Sequence, residues 1–338
     1  PSFSKSTMKK SSREGSGSAL AAESVSRVHG TGNRLSANRS KLSRMANKQD
    51  PLDPRLYQIG ALALLLGYGV LARGFDVSAG RIALLLGTTL FTQWVGTRAY
   101  RLSRFDPKSA LISGLSLCLL LRTGSPWWAM AAAVVAIASK FALRWRGPHA
   151  GASKHIFNPT NFGLVVVLAV GAPVWVSPAQ WGTALTFAFL IACLGLLVVN
   201  RAARADVTVA FLIAYAALLI GRSIWLGEPL AIPCHRLESG ALLLFAFFMI
   251  SDPKPTPDSR VGRLLFATLV AGGAWYIQFR MFRTNGLLWS LALLSAAVPL
   301  LDRLLPGDRY AWSGTSDLRQ RFFSGSLALT PASRKELS

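Results

Sequence analysis

Apolar runs recur along this chain from residue 57 to residue 301, and three of them are too short to cross a bilayer. The runs lie near 57–72, 82–97, 109–121, 127–143, 159–170, 179–199, 207–225, 239–250, 261–279 and 287–301. That recurrence predicts an all-α, polytopic membrane protein with about ten transmembrane helices. At 1.5 Å per residue the third, fifth and eighth runs fall well short of ~30 Å of hydrocarbon. They read as half-helices, re-entrant pieces or spans extended by polar residues. The first two readings require the broken backbone to be buried in protein or to face a cavity. The alternative, a soluble helical core, sits badly with a chain in which only 15% of residues are charged, against about 25% in soluble domains.

The short runs point to an internal repeat. The third, SALISGLSLCLLL, is similar to the eighth, ESGALLLFAFFMI. The fifth is entered through HIFNPTNFG and the tenth through RMFRTNGLLW, which share an aromatic, a Thr-Asn pair and a Gly. Five segments followed by five make the second copy inverted in the membrane, and such repeats build a site from discontinuous helices at their interface. Chance likeness between apolar runs is the competing reading. The expected organisation is a disordered basic N-terminal extension over 1–52, a membrane domain over 53–305 and a polar tail over 306–338. Repeat one covers about 55–171 and repeat two about 178–303. Residues 1–44 are rich in Ser, Lys, Arg, Gly and Asn, poor in acids like a transit peptide, and unable to bury a core.

The net charge of +22 does not signal nucleic acid, because many Lys and Arg residues flank apolar runs. Loops after even-numbered segments carry Arg101, Arg104 and Lys108, then Arg144, Arg146 and Lys154, then Arg201 and Arg204, then Lys254 and Arg260. The balance places both termini and both polar stretches described below on the cytoplasmic side; the expected location is the cell's inner (plasma) membrane. Arg73, Arg81, Arg122, Arg222, Arg236, Arg280 and Arg283 lie on the other side and dilute the contrast. Cys118, Cys193 and Cys234 form no CxxC pair and read as small apolar residues. His149, His155 and His235 lie in loops without helical i, i+4 pairing, so no metal site is argued. No Walker loop, dinucleotide fingerprint or Ser-His-Asp array is present, which speaks against autonomous NADH oxidation or ATP hydrolysis.

Two cytoplasmic stretches carry the chemistry. In residues 154–163, KHIFNPTNFG, Pro159 suits a first helical turn and Asn158 an N-cap. Free N–H groups near Thr160 and Asn161 favour an anionic or carbonyl-rich ligand. Phe157 offers a stacking face, and Lys154 a charge for a phosphate or an anionic ring. In residues 251–260, SDPKPTPDSR, three prolines stiffen the loop, and Asp252 and Asp258 lie among basic neighbours such as Lys254. RFDPKSALISG, residues 104–114, repeats that grammar and makes Asp106 a candidate counterpart of Asp252. The bland readings are a capped helix with interfacial anchors and a polar connector. Lys140, near a segment end, reads as a snorkelling side chain.

FNPTNFGLVVVL, then SGALLLFAFFMISDPKPTPDSRVGRLLF, then NGLLWSLALLSAAVPLLDR resembles the RnfD proteins of Rnf-type electron-transport complexes and the related NqrB proteins of the sodium-pumping NADH:quinone oxidoreductase. The resemblance covers residues 53 to 303. It implies a ten-helix inverted-repeat protein that binds flavin and passes electrons through the membrane beside other integral membrane and redox subunits, with coupled ion movement.

One departure matters. Those families attach FMN to a Thr in a Ser-Gly-Ala-Thr-like motif between the fifth and sixth helices. Here that loop, residues 171–181, is GAPVWVSPAQW; Thr183 follows in WGTAL, and Ser239-Gly240-Ala241 ends in Leu242. The expectation is therefore no covalent FMN, with a non-covalent flavin (riboflavin or FMN) held by Lys154, Phe157, Asn158, Thr160, Asn161, Asp252 and Lys254. The protein is then one component of a redox complex rather than a complete enzyme. The rival is an inverted-repeat transporter or channel for flavin or another small solute, and a third reading is a structural component without cofactor.

Overall fold

The computed structural model describes residues 53–146, 153–176 and 185–307, so the expected extension and tail fall almost wholly outside the described residues. Proline sets the start of several helices because its missing N–H costs nothing in a first turn. It does so in α1 (Pro54–Arg73), α3 (Pro107–Leu120), α4 (Pro126–Ala142) and α5 (Pro159–Ala169). Asp53 caps α1 by accepting from the Arg55 N–H, and Ser78 caps α2 (Ala79–Ala99) by accepting from the Arg81 N–H. Gly74 ends α1 at φ 62°, the left-handed conformation in which glycine carries no Cβ penalty.

The second half comprises α6 (Leu185–Arg201), α7 (Ala205–Leu226), α8 (Ala231–Leu237), α9 (Gly240–Leu244), α10 (Arg260–Phe279), α11 (Gly286–Ser295) and α12 (Val298–Leu304). A π-helical turn, Phe245–Met249, continues α9. Each apolar run thus contains helix.

The short runs are finished in two different ways. With 14 and 11 residues, α3 and α5 reach only about 21 and 17 Å. Each runs on into extended chain: β1 (Leu121–Thr123) follows α3, and β4 (Val174–Val176) lies beyond α5. These strands pair antiparallel, Leu121 with Val176 and Thr123 with Val174, so that backbone groups freed by the helix ends find partners. The eighth run, α9 with its π-helical turn, instead meets the preceding α8 at a bend of 47°. A second ladder joins β2 (Arg144–Arg146) to β3 (Ser153–His155).

One expectation needs correcting. The tenth run is not one helix: α11 and α12 meet at 50°. Pro299 explains the break, since it has no N–H for the ladder and its ring clashes with the carbonyl four residues back. Among the described residues two helices, α1 and α7, are long and apolar enough to cross a membrane, or up to four if each bent pair counts as one span.

Packing partners recur between the halves. In the first, α1 packs on α3, α2 on α4 and α4 on α5; in the second, α6 packs on α9, α7 on α10 and α10 on α11. Between halves, α1 meets α6 and α5 meets α11. Small residues permit the closest of these contacts. A Cβ on Gly163 would lie 2.6 Å from the Ala132 carbonyl oxygen of α4, and one on Gly286 2.7 Å from that of Ala274 in α10. Ala129, Ala132, Ala133 and Ala136 line the buried face of α4, and Ala267, Ala271 and Ala274 that of α10.

Candidate functional site

Asn158 caps α5 as its sequence predicts, its Oδ1 accepting from the Asn161 N–H at 3.0 Å. Its side-chain amide also reaches across the molecule. Nδ2 donates to the Met249 carbonyl and to Asp252 Oδ2, both at 3.3 Å. Asp252 Oδ1 in turn accepts from the Lys254 N–H at 3.2 Å. The two polar stretches, about ninety residues apart in the chain, therefore meet where α5 begins and the π-helical turn ends.

A cavity of about 140 Å³ opens beside this junction. Of the residues expected at the site, Asn158, Thr160, Asp252 and Lys254 line it. Lys154, Phe157 and Asn161 do not, and the contacts they make explain why. Lys154 Nζ lies 2.6 Å from Asp302 and 3.2 Å from Asp258, all three side chains buried. The Asp258 N–H donates to Asp302 Oδ1 at 2.9 Å, so this cluster joins β3, the proline loop and α12. Phe157 packs on Phe162, ring centroids 4.7 Å apart. Asn161 Nδ2 donates to the Leu288 carbonyl at 3.1 Å, tying α5 to α11. These three residues hold the walls in place instead of facing the space between them.

The cavity gains lining residues that the sequence does not single out. Lys140 is buried, not snorkelling, and donates to Gln93 Oε1 at 2.7 Å. Its ammonium has three donors, and the side chain lines the cavity. His155 also lines it, only 7% exposed, with Nε2 buried and without a hydrogen-bond partner among the described residues. Burial, then the positive charges of Lys254, Lys140, Arg144 and Lys154, holds His155 well below the ordinary histidine value of 6.5. Its imidazole is neutral at pH 7. Asp106 lies on the same cavity as Asp252 and pairs with Arg55. Arg55 and Lys108 also pair with Asp53, at 2.7 and 2.9 Å. Burial pushes the Asp53 carboxyl up, but those hydrogen bonds outweigh it and hold the group below the carboxylate range. Asp252 shifts the other way: burial raises it above 3.8, only partly offset by the Lys254 N–H and nearby cations.

Polar residues such as Gln93 and Lys140 inside apolar runs are the available signal for this chemistry. A site with amide, ammonium and imidazole nitrogen on its walls suits a ring edge bearing carbonyls and ring N–H groups.

A family model described as the NQR2, RnfD, RnfE family matches residues 170–310. That match covers less than half of the chain, and over it the chain is similar to that family. The family match contains the proline loop, α10 and α11; the stretch 154–163 lies before it. Curated relatives, each named as a subunit of the ion-translocating oxidoreductase complex, agree. The protein from Citrobacter koseri is 32% identical over 103 residues, 30% of this chain and 29% of the relative. That from Escherichia coli O9:H4 is 31% identical over 103 residues, with the same coverage. The Salmonella paratyphi B protein is 34% identical over 105 residues, again 30% of this chain and 29% of the relative. The chain thus spans less than a third of the length of the curated relatives it matches. Family and apolar helices together make it an integral membrane protein.

Proposed function

We propose that this chain is a membrane-embedded, flavin-binding electron-transfer subunit of an Rnf/Nqr-like ion-translocating redox complex, without covalently attached FMN. Other integral membrane and redox subunits are its partners, and its termini face the cytoplasm of a cell whose inner membrane holds it. The observation that carries the reading is the hydrogen bond from Asn158 to Asp252, both of which line the cavity. It joins the two motifs at two helix breaks, inside a chain whose second half matches that family.

The fit can be tested against size and donors. A cavity near 150 Å³ holds one benzene-sized ring, so 140 Å³ takes one ring of a flavin, with the remainder leaving through the mouth. Lys140, Asn158 and Thr160 supply donors, and Asp252 supplies acceptors, for a polar ring edge. A bound flavin would supply one- and two-electron transfer. Lys140 would place positive charge beside a ring that gains electrons, while Met249 and Phe248 exclude water from the cavity's inner wall.

We also propose the ten-segment, inverted-repeat organisation, with repeats over about 55–171 and 178–303. The recurring packing partners support it, as do the contacts of α1 with α6 and α5 with α11. A two-fold axis makes each such element meet its own counterpart. Gly163 on α4 and Gly286 on α10 are matching seats.

A visible spectrum of the detergent-purified protein, before and after dithionite and with added riboflavin or FMN, tests the flavin reading. Bleachable absorbance near the flavin bands is expected; none, even with added flavin, ends it. One observation favours the transporter as a second reading: Met249 walls both this cavity and a second one at the far end of α10. Uptake of labelled riboflavin by liposomes containing this chain alone would support it.

A further inference from the structure

The second cavity is about 860 Å³, within the range of sites that enclose large ligands. Leu120, Leu168 and Phe245 are among its apolar walls, while Arg222, Arg236 and Arg283 stand around it. Two of these guanidiniums share one phenyl ring: Arg222 lies 4.5 Å and Arg236 5.1 Å from the Phe279 centroid. Like charges held that close repel one another. Glu228, 2.8 Å from Arg222, neutralises one of them. Among the described residues no carboxylate forms an ion pair with Arg236 or Arg283. Phe282 lines the same cavity, 84% exposed and held at φ 51°, a left-handed conformation that is costly for a bulky side chain.

The same three arginines belong to the group that opposes the charge bias of the loops. Positive charge is disfavoured on that side of a membrane protein, so gathering three such residues at one cavity calls for a compensating anion. The apolar walls require that anion to carry a long hydrophobic body. We infer that this cavity binds an anionic phospholipid, its phosphate held between Arg236 and Arg283 with Arg222 beside them, and an acyl chain along the apolar walls. The bilayer is the source, since an integral membrane protein meets this ligand at high local concentration. The inference rests on the membrane setting and not on flavin binding.

The test is native mass spectrometry of the full detergent-purified chain titrated with dioleoylphosphatidylglycerol or dioleoylphosphatidylcholine. Preferential retention of the phosphatidylglycerol is expected in the unaltered protein, so no variant is needed for the first outcome. Each basic residue near an anionic lipid contributes about fivefold. The pair Arg236→Gln and Arg283→Gln therefore lowers phosphatidylglycerol retention about 25-fold, with phosphatidylcholine unchanged. Arg236→Lys with Arg283→Lys keeps most of it. Equal retention of the two lipids overturns the inference, as does indifference to the Gln pair. Displacement of the lipid by inorganic phosphate or by FMN at matched concentration also overturns it, assigning the arginines to a soluble phosphate ester. Lipid retention is scored by mass and flavin by absorbance, so either reading can fail without the other.

Discussion

The cavity where α1, α3 and α5 begin holds about 140 Å³ and is walled by amides, carboxylates and buried cations. The one at the far end of α10 holds about 860 Å³, walled mainly by aliphatic and aromatic side chains with guanidiniums around it. The first is built by helix starts, whose capping residues are fixed in type by the N–H groups they must satisfy. The second is built mostly by helix ends, mid-helix faces and connectors, and the two helix starts it includes, at Ser239 and Asn285, make no side-chain cap hydrogen bond. Motif-like sequence therefore gathers at the small cavity, and the large one is assembled from single positions on separate elements. The difference also separates two kinds of charge: mostly buried at and behind the small cavity, like-signed and largely exposed beside the large one.

The largest effect should come from the walls of the small cavity. Lys154→Met leaves Asp302 and Asp258 buried without their cation, an arrangement that costs about 3–5 kcal/mol. Lys254→Met, at an exposed position lining the same cavity, should stay within about 0.5 kcal/mol. Thermal unfolding in detergent separates them. Equal melting temperatures would show that the Lys154 cluster is not what fixes the proline loop.

Next come the matched glycines. Gly163→Val and Gly286→Val each force a side chain onto a backbone oxygen, for about 1–3 kcal/mol of overpacking. Similar losses in the two variants sharpen the equivalence of the halves; a loss in one alone breaks it. Lys140→Met is subtler, because a buried methionine replaces a buried ammonium and stability is expected to hold or rise. Affinity for added riboflavin should fall by about tenfold to a hundredfold, the worth of a hydrogen bond to a charged group. Phosphatidylglycerol retention should not change. If riboflavin binding is unaffected while lipid retention falls, the chemical assignment of the two cavities is reversed.

Much of this is legible in the chain before folding. Apolar run lengths give the helices, Asn158–Pro159 gives a cap and a first turn, and the two polar stretches expected to share one ligand are joined by the Asn158–Asp252 bond. The β1–β4 ladder is not legible, since three-residue strands are shorter than any window in which alternation can be read. Helix-end physics makes Lys154 and Asn161 candidates to face a ligand because it says which groups are free locally. It cannot say that Asp302 or the Leu288 carbonyl arrives from far along the chain to claim them. Lys140 misleads for the same reason, its partner Gln93 lying on another helix. The arginines of the large cavity look like noise in a charge count and acquire meaning only when α7, α8 and α10 bring two of them, Arg222 and Arg236, around one ring.

The smallest expected effect is a pH dependence that belongs to the small cavity alone. His155 is buried and surrounded by Lys254, Lys140, Arg144 and Lys154, so its folded value lies well below 6.5. A group depressed in this way contributes stability above its unfolded value and loses it as pH falls through the window down to the folded one. The unfolded chain takes up a proton there that the folded chain refuses, and stability drops by at most about 1.4 kcal/mol per pH unit. Asp252, raised above 3.8, acts with the opposite sign: the fold favours its protonated form, so acidification through its raised value restores some stability. Subtracting the unfolding curve of His155→Gln from that of the unaltered protein removes the Asp252 contribution and leaves the histidine slope. That difference should be flat above pH 6.5 and should grow steadily below it. A difference that stays flat to pH 5 would mean that water or a ligand reaches Nε2 and that the small cavity is wetter than its walls imply.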